Sequence, residues 1–244
     1  MTELLYLPDD DGVTEFTAEV EKVGEDYVVL DGTYFYPEGG GQPADRGRLS
    51  WKGGEAEVVD VQKDGGDVKH FIEDLEGGLP EEGDEVDAEI DEERREKHRR
   101  MHTAQHVMSK VVLDEYGAGT AGNQIHEDRS RIDFEPAEFS EEDLRRIEEE
   151  TNEVIGRGLE VEKVNMPREK AEEETPEGRG LLDMIPDHVD PLRMVRIGGF
   201  DLCPCGGTHV DSLDEIGRVN IVDRTSKGKD VERIEFELVE SDGT

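Results

Sequence analysis

Two short motifs that lie far apart in the chain limit most strongly how it can fold. The first is His102–His106, with the sequence HTAQH, and the second is Cys205–His209, with the sequence CGGTH. The outer residues of each motif are four positions apart, and together they supply three imidazoles and one thiolate, an ordinary ligand set for zinc. Because residues 107–204 separate the motifs, only a folded domain can bring the four donors together.

The first motif is informative only if it lies on a helix. Residues four positions apart then share one helix face, so His102 and His106 can direct both imidazoles at one point. Histidine pairs at this spacing are common by chance, so the motif alone is a weak signal. His98 lies one turn earlier on the same face. It could support the metal site from behind or lie on the surface, and we favour the surface.

The second motif is more specific. The chain has only two cysteines, and the paired glycines allow the backbone to wrap closely around a metal. The alternative is a buried cysteine beside an exposed histidine on a glycine turn. Cys203 could replace Cys205 as the ligand. We prefer Cys205, because its spacing to His209 matches that of the first motif.

The charge composition is the second constraint. Acidic residues outnumber basic ones by 65 to 28, which gives a formal net charge of −37 over 244 residues. Apolar residues nevertheless recur periodically nearly throughout, so disorder is not expected. We interpret the acids as the surface of a halophilic protein, because concentrated salt screens the self-repulsion of such a surface. A specific acidic surface for a partner is the alternative.

The sequence also indicates a location. It contains no run of about eighteen apolar residues, so no membrane span is expected, and no secretory signal is visible at the start. Cys203 and Cys205 are too close together for an ordinary stabilising disulfide, whereas a metal role suits a reducing compartment. We therefore expect a cytoplasmic protein.

The first part of the chain predicts β-structure. Gly-rich turns separate five segments of alternating polarity. These predicted strands are Phe16–Val23, Tyr27–Leu30, Ala56–Gln62, Val68–Ile72 and Glu85–Ile90. Short strands with regular turns suggest a small antiparallel barrel. The barrel sequence also contains Gly39, Gly40 and Gly41, which could press against a ligand or form a mobile turn; the glycines alone favour the turn.

The character of the sequence changes near Asp91. A helix is predicted over Glu92–Tyr116 with Asp91 as N-cap, and a second one from Ser140, paired with Asp143, to Gly156. The further predicted strands are Arg131–Phe134, Leu159–Asn165, Met194–Ile197, Val219–Val222 and Val231–Val239. The segment Met166–Pro191 reads as a short helix and a long loop. The predicted class is α+β, with an antiparallel β-barrel over 1–91 and an α+β domain with an antiparallel sheet over 92–244.

The two motifs together carry a resemblance to a known family. The order HTAQH and then CGGTH resembles the editing domain of alanyl-tRNA synthetases and their free-standing relatives, the AlaX-type editing proteins. Further matches are the loop Tyr36–Gln42, the strand Arg131–Phe134 and the stretch Arg233–Glu235, in the family's order and over nearly the whole chain. No aminoacylation domain is visible, so the chain looks like the medium-length free-standing type.

The resemblance implies a reaction and its partners. Such proteins hydrolyse the ester between tRNA(Ala) and a wrong amino acid, usually serine, with glycine as a second possibility. One Zn²⁺ per chain would be held by His102, His106, Cys205 and His209 in the second additional domain. The partner would be the acceptor end of tRNA(Ala), with no obligate protein partner and no membrane.

The resemblance also implies roles for other residues. Thr103 would lie near the amino-acid side chain, and the glycine-rich loop up to Gln42 would help to distinguish serine from alanine. Many family members have glutamine before an Ala-Gly pair, where this chain has Thr120; Gln124 could substitute. The expected catalytic residues are therefore Thr103, Gln42 and Gln124. The expected substrate-binding residues are Gly39, Gly40, Gly41, Arg99, Arg100 and Arg131.

Two alternatives to the editing hydrolase stay open. Four protein ligands close a tetrahedral zinc, which is typical of a structural site, so the protein could be a non-catalytic RNA-binding module stabilised by zinc. It could also be a zinc hydrolase of a small ester. The basic run Arg94–Arg100 leads directly into His102 and argues mildly for an RNA substrate, although such runs are usually solvated faces.

Overall fold

The structure is a computed structural model, and it describes residues 1–176, 178–179, 182 and 185–240. The chain divides into two compact units, Met1–Glu96 and Lys97–Thr244. The division falls within the first helix. The domain limits 1–91 and 92–244 stay predictions.

The first unit is built on the expected barrel. Six strands close it in the order β2-β3-β7-β6-β5-β8, and every neighbouring pair whose register is defined is antiparallel. The short strands β1 (Glu3–Leu4) and β4 (Gly32–Thr33) pair in parallel beside it. The barrel strands are β2 (Glu15–Val23), β3 (Tyr27–Leu30), β5 (Gly47–Trp51), β6 (Gly54–Asp64), β7 (Asp67–Gly77) and β8 (Glu85–Ile90).

Alternation of polarity explains the barrel interior. In β8 the side chains of Val86, Ala88 and Ile90 are buried while the acids between them are exposed, as the period of two in a strand requires. The sequence did not predict β5. That strand needs Gly47, because a Cβ there would lie 2.0 Å from the carbonyl oxygen of Glu89 on β8.

The second unit combines helices with two antiparallel sheets. A four-stranded sheet has the order β14-β15-β10-β9, and a three-stranded sheet has the order β11-β12-β13. The helices are α1 (Glu92–Tyr116), α2 (Glu141–Ile155) and α3 (Arg168–Glu174), with a 3-10 helix at Leu213–Glu215. The strands are β9 (Gly119–Gln124), β10 (Ser130–Glu135), β11 (Val161–Met166), β12 (Leu192–Ile197), β13 (Asp201–Pro204), β14 (Arg218–Gly228) and β15 (Val231–Val239). The predicted α+β class is confirmed.

The long helices begin and end where their capping residues predict. The N–H of Arg94 donates to Oδ1 of Asp91 at 3.0 Å, and Gly117 follows α1 with φ +66°. Ser140 and Asp143 form a reciprocal capping box at the start of α2. Leu144 and Ile147 of α2 are both buried in the core of the second unit.

Two strands of the second unit were not predicted. Strand β9 is rich in glycine and small polar residues, and β13 is only four residues long and carries Cys203. Neither shows an alternating apolar pattern. In the segment Met166–Pro191 the short helix α3 is confirmed, whereas residues 177, 180, 181, 183 and 184 lie outside the described part. Among the described residues, no helix has both the length and the apolar character needed to span a membrane.

Candidate metal centre

The structure brings the four predicted ligands together. His102 and His106 lie one turn apart on α1, and Cys205 and His209 lie on the loop that follows β13. One donor atom from each of the four lies within 4.8 Å of the other three. The three histidines are buried, and Cys205 is half-buried. The long-range convergence that the two motifs predict is therefore present.

The side chains point at a common centre. The Sγ of Cys205 lies 3.3 Å from Nε2 of His209 and 3.6 Å from Nε2 of His102. The ring centroid of His209 is 4.4 Å from that of His102 and 4.6 Å from that of His106. Three imidazole nitrogens and one thiolate suit zinc in charge and softness. The residues present therefore fit this metal.

Burial prepares the imidazoles for metal binding. It lowers the pKa of His102 to about 3, with a smaller contribution from the charge of Arg193. Burial likewise lowers the pKa of His106 and of His209 well below the ordinary value, and the neighbouring histidines and arginines add to the effect. All three rings are therefore neutral at pH 7, the form that has a free lone pair for a cation.

Basic side chains hold the backbone of the ligand residues. Arg99 Nε donates to the carbonyl oxygen of His209 at 2.8 Å. Arg193 Nη1 donates to the carbonyls of Cys205 and Gly207, each at 2.8 Å. Arg179 Nη2 donates to the carbonyl of His106 at 3.0 Å. Charged donors of this kind make strong hydrogen bonds and so fix the ligand loop against α1.

Two acids pair with two of these arginines, Arg179 and Arg99. Arg179 pairs with Asp201, with Nε 2.9 Å from Oδ1 and Nη2 2.6 Å from Oδ2. Asp211 accepts from Arg99 Nη2 at 3.2 Å and from the buried Lys163. Burial is the largest single effect on Asp211 and opposes its ionisation, but the hydrogen bonds and charges of Lys163 and Arg99 together outweigh burial and lower the pKa of the Asp211 carboxyl.

Two further side chains touch ligand rings. The hydroxyl of Thr103 lies 3.1 Å from Nδ1 of His209, and Sγ of Cys203 lies 3.2 Å from Nδ1 of His106. Burial raises the pKa of the Cys203 thiol. Cys203 also lies with His106 and Asp201 in a second group of potential donors. The Asp201 carboxylate already faces Arg179, so this second group is a poor place for another cation.

The glycine-rich loop lies in the first unit and is a tight turn. The N–H and C=O groups of Gly39 and Gln42 bond to each other, at 3.1 and 2.9 Å. Gly40 and Gly41 have φ of +57° and +83°, a conformation that favours glycine. The hydroxyl of Tyr36 donates to the carbonyl of Gly39 at 2.8 Å. The role of this loop towards a substrate stays a prediction.

Other predicted site residues have internal partners. Gln124 on β9 is exposed and accepts from Arg131 Nε at 3.1 Å, and Arg131 also pairs with Asp133. Arg100 donates to the carbonyl of Ile216 at 2.9 Å. The substrate-binding roles of Arg99, Arg100 and Arg131 and the catalytic role of Gln124 stay predictions.

Part of the basic run Arg94–Arg100, which precedes His102, is buried and not on the surface. His98 is fully buried, so the surface position that we favoured for it is wrong. Arg95 is also buried and contacts Asp45 in the first unit. The supporting residues Lys163, Arg179 and Arg193 were missed. A weak signal existed for Lys163, because it has the same strand parity as the buried Val161.

Two known families match separate parts of the chain. The family described as "tRNA synthetases class II (A)" matches residues 4–94. The "Threonyl and Alanyl tRNA synthetase second additional domain" matches residues 192–235, which include the CGGTH motif. The HTAQH motif lies between the two matched ranges.

Full-length relatives span both motifs. "Alanyl-tRNA editing protein AlaX-M" of Methanosarcina barkeri is 41% identical over 245 residues, which cover 98% of this chain and 100% of the relative. The chain belongs to the AlaX-M family. The AlaX-M protein of Methanosarcina acetivorans is 40% identical with the same coverage. "Alanine--tRNA ligase" of Methanopyrus kandleri is 43% identical, over 96% of this chain but only 26% of the ligase. The predicted family and medium-length form are confirmed.

Proposed function

We propose that the protein hydrolyses the ester bond between tRNA(Ala) and a wrong amino acid, with serine as the main substrate and glycine as a second. The observation that carries this proposal is the convergence of His102, His106, Cys205 and His209 within 4.8 Å. Membership in the AlaX-M family supplies the substrate class. We expect this activity in the cytoplasm, without an obligate protein partner.

The four donors would hold one zinc ion. When bound, zinc lowers the pKa of a coordinated water and polarises a carbonyl oxygen. The chain's own contribution is preorganisation. Arg99, Arg179 and Arg193 hold the backbone of the ligands, so the donors need not reorganise when a substrate arrives.

The surrounding side chains offer little for acid–base chemistry. Asp201 is paired with Arg179, and Asp211 is shared by Arg99 and Lys163. The lowered pKa of the Asp211 carboxyl makes it a poor proton acceptor, and both carboxylate oxygens of Asp201 already accept hydrogen bonds from Arg179. We therefore propose that Asp201 and Asp211 support the site and do not act as its general base.

Selection against alanine needs a polar contact to the serine hydroxyl. A site built to bond a hydroxyl rejects the analogue without one, because its own polar groups then stay unpaired. We propose Gly39–Gln42 as the segment that makes this distinction, with Gln124 as a further polar contact. We propose that Arg99, Arg100 and Arg131 attract the acceptor end of the tRNA. Arg99 would do so while it keeps its hydrogen bond to the carbonyl oxygen of His209.

A deacylation assay tests the proposal. The protein is incubated with tRNA(Ala) carrying labelled serine, glycine or alanine, at high and at low salt. We expect loss of the serine ester, slower loss of the glycine ester and a largely intact alanine ester. His106→Ala should abolish the reaction and lower the zinc content.

The same assay separates the alternatives. Tight binding of tRNA(Ala) without turnover would favour the zinc-stabilised RNA-binding module. Equal hydrolysis of seryl-tRNA(Ala) and a serine methyl ester would favour a hydrolase of small esters. Equal rates with serine and alanine on tRNA(Ala) would overturn the proposed editing function.

A further inference from the structure

His209 and His106 in the candidate metal centre each contact a side chain that is not one of the four ligands and that comes from the other motif's part of the chain. Thr103, inside HTAQH, contacts Nδ1 of His209, which belongs to CGGTH. Cys203, two residues before CGGTH, contacts Nδ1 of His106, which belongs to HTAQH. The side chains of Thr103 and Cys203 are buried. Each part of the chain thus holds a ring supplied by the other.

We propose that Thr103 and Cys203 are positioning residues that fix the ring orientation and the Nδ1–H tautomer of His209 and His106, and so set the metal affinity of the site. This inference rests on the metal centre of the proposed function. Under this proposal Thr103 contacts a zinc ligand, His209, and not the amino-acid substrate. Cys203 likewise contacts the ligand His106 and does not bind the metal itself.

Hydrogen-bond capacity carries the argument for Thr103. A hydroxyl has one hydrogen to donate and two lone pairs to accept with. The Thr103 hydroxyl donates to the carbonyl of Arg99 at 2.8 Å, one turn earlier on α1, and accepts the N–H of Val210 at 3.2 Å. One lone pair is left, and it faces Nδ1 of His209 at 3.1 Å. Nδ1 must therefore be the protonated nitrogen.

The other nitrogen of His209 then has the position of a ligand. Nε2 keeps its lone pair and lies 3.3 Å from Sγ of Cys205, within the cluster of donors. All three capacities of the Thr103 hydroxyl are used, so none is left to bond a serine hydroxyl. One backbone partner of Thr103, the carbonyl of Arg99, lies on α1, and the other, the N–H of Val210, lies directly after the CGGTH motif. These two bonds hold the hydroxyl in a fixed position relative to both ligand motifs.

Cys203 acts on His106 in the same sense. Its Sγ lies 3.2 Å from Nδ1 of His106, and it is not among the four donors that converge. The Cys203 thiol also hydrogen-bonds the Asp201 carboxylate, which can only accept, so the thiol hydrogen is directed to Asp201. The sulfur is then left as a weak acceptor for an Nδ1–H of His106. Nε2 of His106 is thereby left for the metal.

Loss of such an outer partner typically weakens metal affinity by about 10–100-fold. Thr103→Val keeps the shape of the side chain and removes the hydroxyl, whereas Thr103→Ser keeps the hydroxyl. The matched control is Ser109→Ala, which removes another buried hydroxyl of α1. That hydroxyl bonds Gln105 and Thr120 and contacts none of the four ligands.

The experiment measures zinc affinity by competition with a chromophoric chelator, in the full chain and without tRNA. We expect Thr103→Val to raise the Kd for zinc about 10–100-fold, and Thr103→Ser and Ser109→Ala to stay close to wild type. Urea unfolding of the metal-free variants shows whether Thr103→Val and Ser109→Ala lose similar stability. Equal zinc affinity of Thr103→Val and Ser109→Ala would overturn the positioning role.

Two spectroscopic signatures give independent readouts. In ¹⁵N spectra of the metal-free protein at pH 7, His209 should be protonated at Nδ1, and Thr103→Val should increase the Nε2–H form. In the Co²⁺-loaded protein, the thiolate charge-transfer band should survive Cys203→Ser and disappear in Cys205→Ser. A wild-type His209 protonated at Nε2, or loss of the band in Cys203→Ser, would refute the assignment.

These outcomes are separable from the proposed function. A wild-type protein that binds zinc with the expected Thr103 dependence but spares seryl-tRNA(Ala) would remove the editing activity and leave the positioning roles in place. A protein that hydrolyses seryl-tRNA(Ala) but whose zinc affinity is unchanged by Thr103→Val would support the editing activity and overturn the positioning role.

Discussion

Arg95 should stabilise the first unit more than any surface arginine. It lies within the basic run that precedes His102, yet its side chain and that of Asp45 are only 2% and 1% exposed. Its Nε lies 3.2 Å from Oδ1 of Asp45, and its Nη groups reach the carbonyls of Asp11 at 2.5 Å and Tyr34 at 2.7 Å. One guanidinium thus joins three separate parts of the unit.

The same contacts define the base of the glycine-rich loop. Asp45 Oδ2 accepts the N–H of Tyr36 at 2.6 Å, and the N–H of Asp45 donates to the carbonyl of Tyr36 at 3.0 Å. Arg95 therefore holds Tyr34 and Asp45, which lie on the two sides of Gly39–Gln42 in the chain. Its removal should loosen the loop as well as destabilise the fold.

Arg95→Met leaves the Asp45 carboxylate buried without its main counter-charge. Breaking one partner of a buried ion pair costs about 3–5 kcal/mol. The two carbonyls that lose a charged donor lie within the same network, so their losses do not simply add. The free energy of unfolding of a whole domain is typically about 5–15 kcal/mol. We therefore expect Arg95→Met to remove about 3 kcal/mol or more, which is about a fifth of that stability at the least.

Urea unfolding followed by the fluorescence of Trp51 measures this loss. Trp51 is the only tryptophan and lies on β5 of the barrel, so its signal reports on the first unit. Arg48→Met is the control, because Arg48 is half exposed and pairs with Glu57 on the barrel surface, where about 0–1 kcal/mol is expected. The double variant Arg95→Met/Asp45→Leu should lose less than the sum of its single changes.

The reasoning fails if Arg95→Met costs no more than Arg48→Met. It also fails if the double variant loses the full sum, because the coupling between Arg95 and Asp45 would then be absent.

Three further predictions concern pH, the loop and salt. Burial lowers the pKa of His70 to about 4; its neutral form therefore stabilises the fold fully above pH 6.5 and this stability is lost as the pH falls towards 4. As the pH falls through that range, the free energy of unfolding of wild type, measured with urea, should decrease by up to about 1.4 kcal/mol per pH unit more than that of His70→Gln. If the two plots of unfolding free energy against pH are parallel, the prediction is wrong. Gly40→Ala places a side chain at φ +57° and should cost about 1–2 kcal/mol locally. It should reduce the ratio of serine to alanine deacylation more than the serine rate; an unchanged ratio would remove the loop from the site. Raising salt from low to molar concentration should raise the thermal midpoint, because it screens the net charge of −37; a constant midpoint would argue against the halophilic interpretation.

The sequence predicted the regular elements well where local signals agree. The bounds of α1 and the capping of α2 by Ser140 and Asp143 match the structure, because capping depends on residues only three positions apart. Strands β5, β9 and β13 were missed. They are short or rich in small residues, and their pairing depends on distant neighbours, such as the carbonyl of Glu89 against Gly47.

The candidate ligands were predictable from residue type and spacing, whereas their support was not. Arg95, Arg179 and Lys163 are buried because carboxylates and carbonyls from distant segments face them. A charged residue in a sequence is most often on the surface, so nothing local marks these as internal. Thr103 shows the same limit, since its partners His209 and Val210 are more than a hundred positions away.

X-ray absorption at the zinc edge tests the metal centre most directly. Purified protein should contain one zinc per chain, with one sulfur at about 2.3 Å and nitrogen neighbours at about 2.0–2.1 Å. Cys205→Ser should remove the sulfur shell, and Cys203→Ser should leave it intact. A protein that takes up no zinc, or whose zinc shows no sulfur neighbour, would contradict the convergence of His102, His106, Cys205 and His209 on one ion.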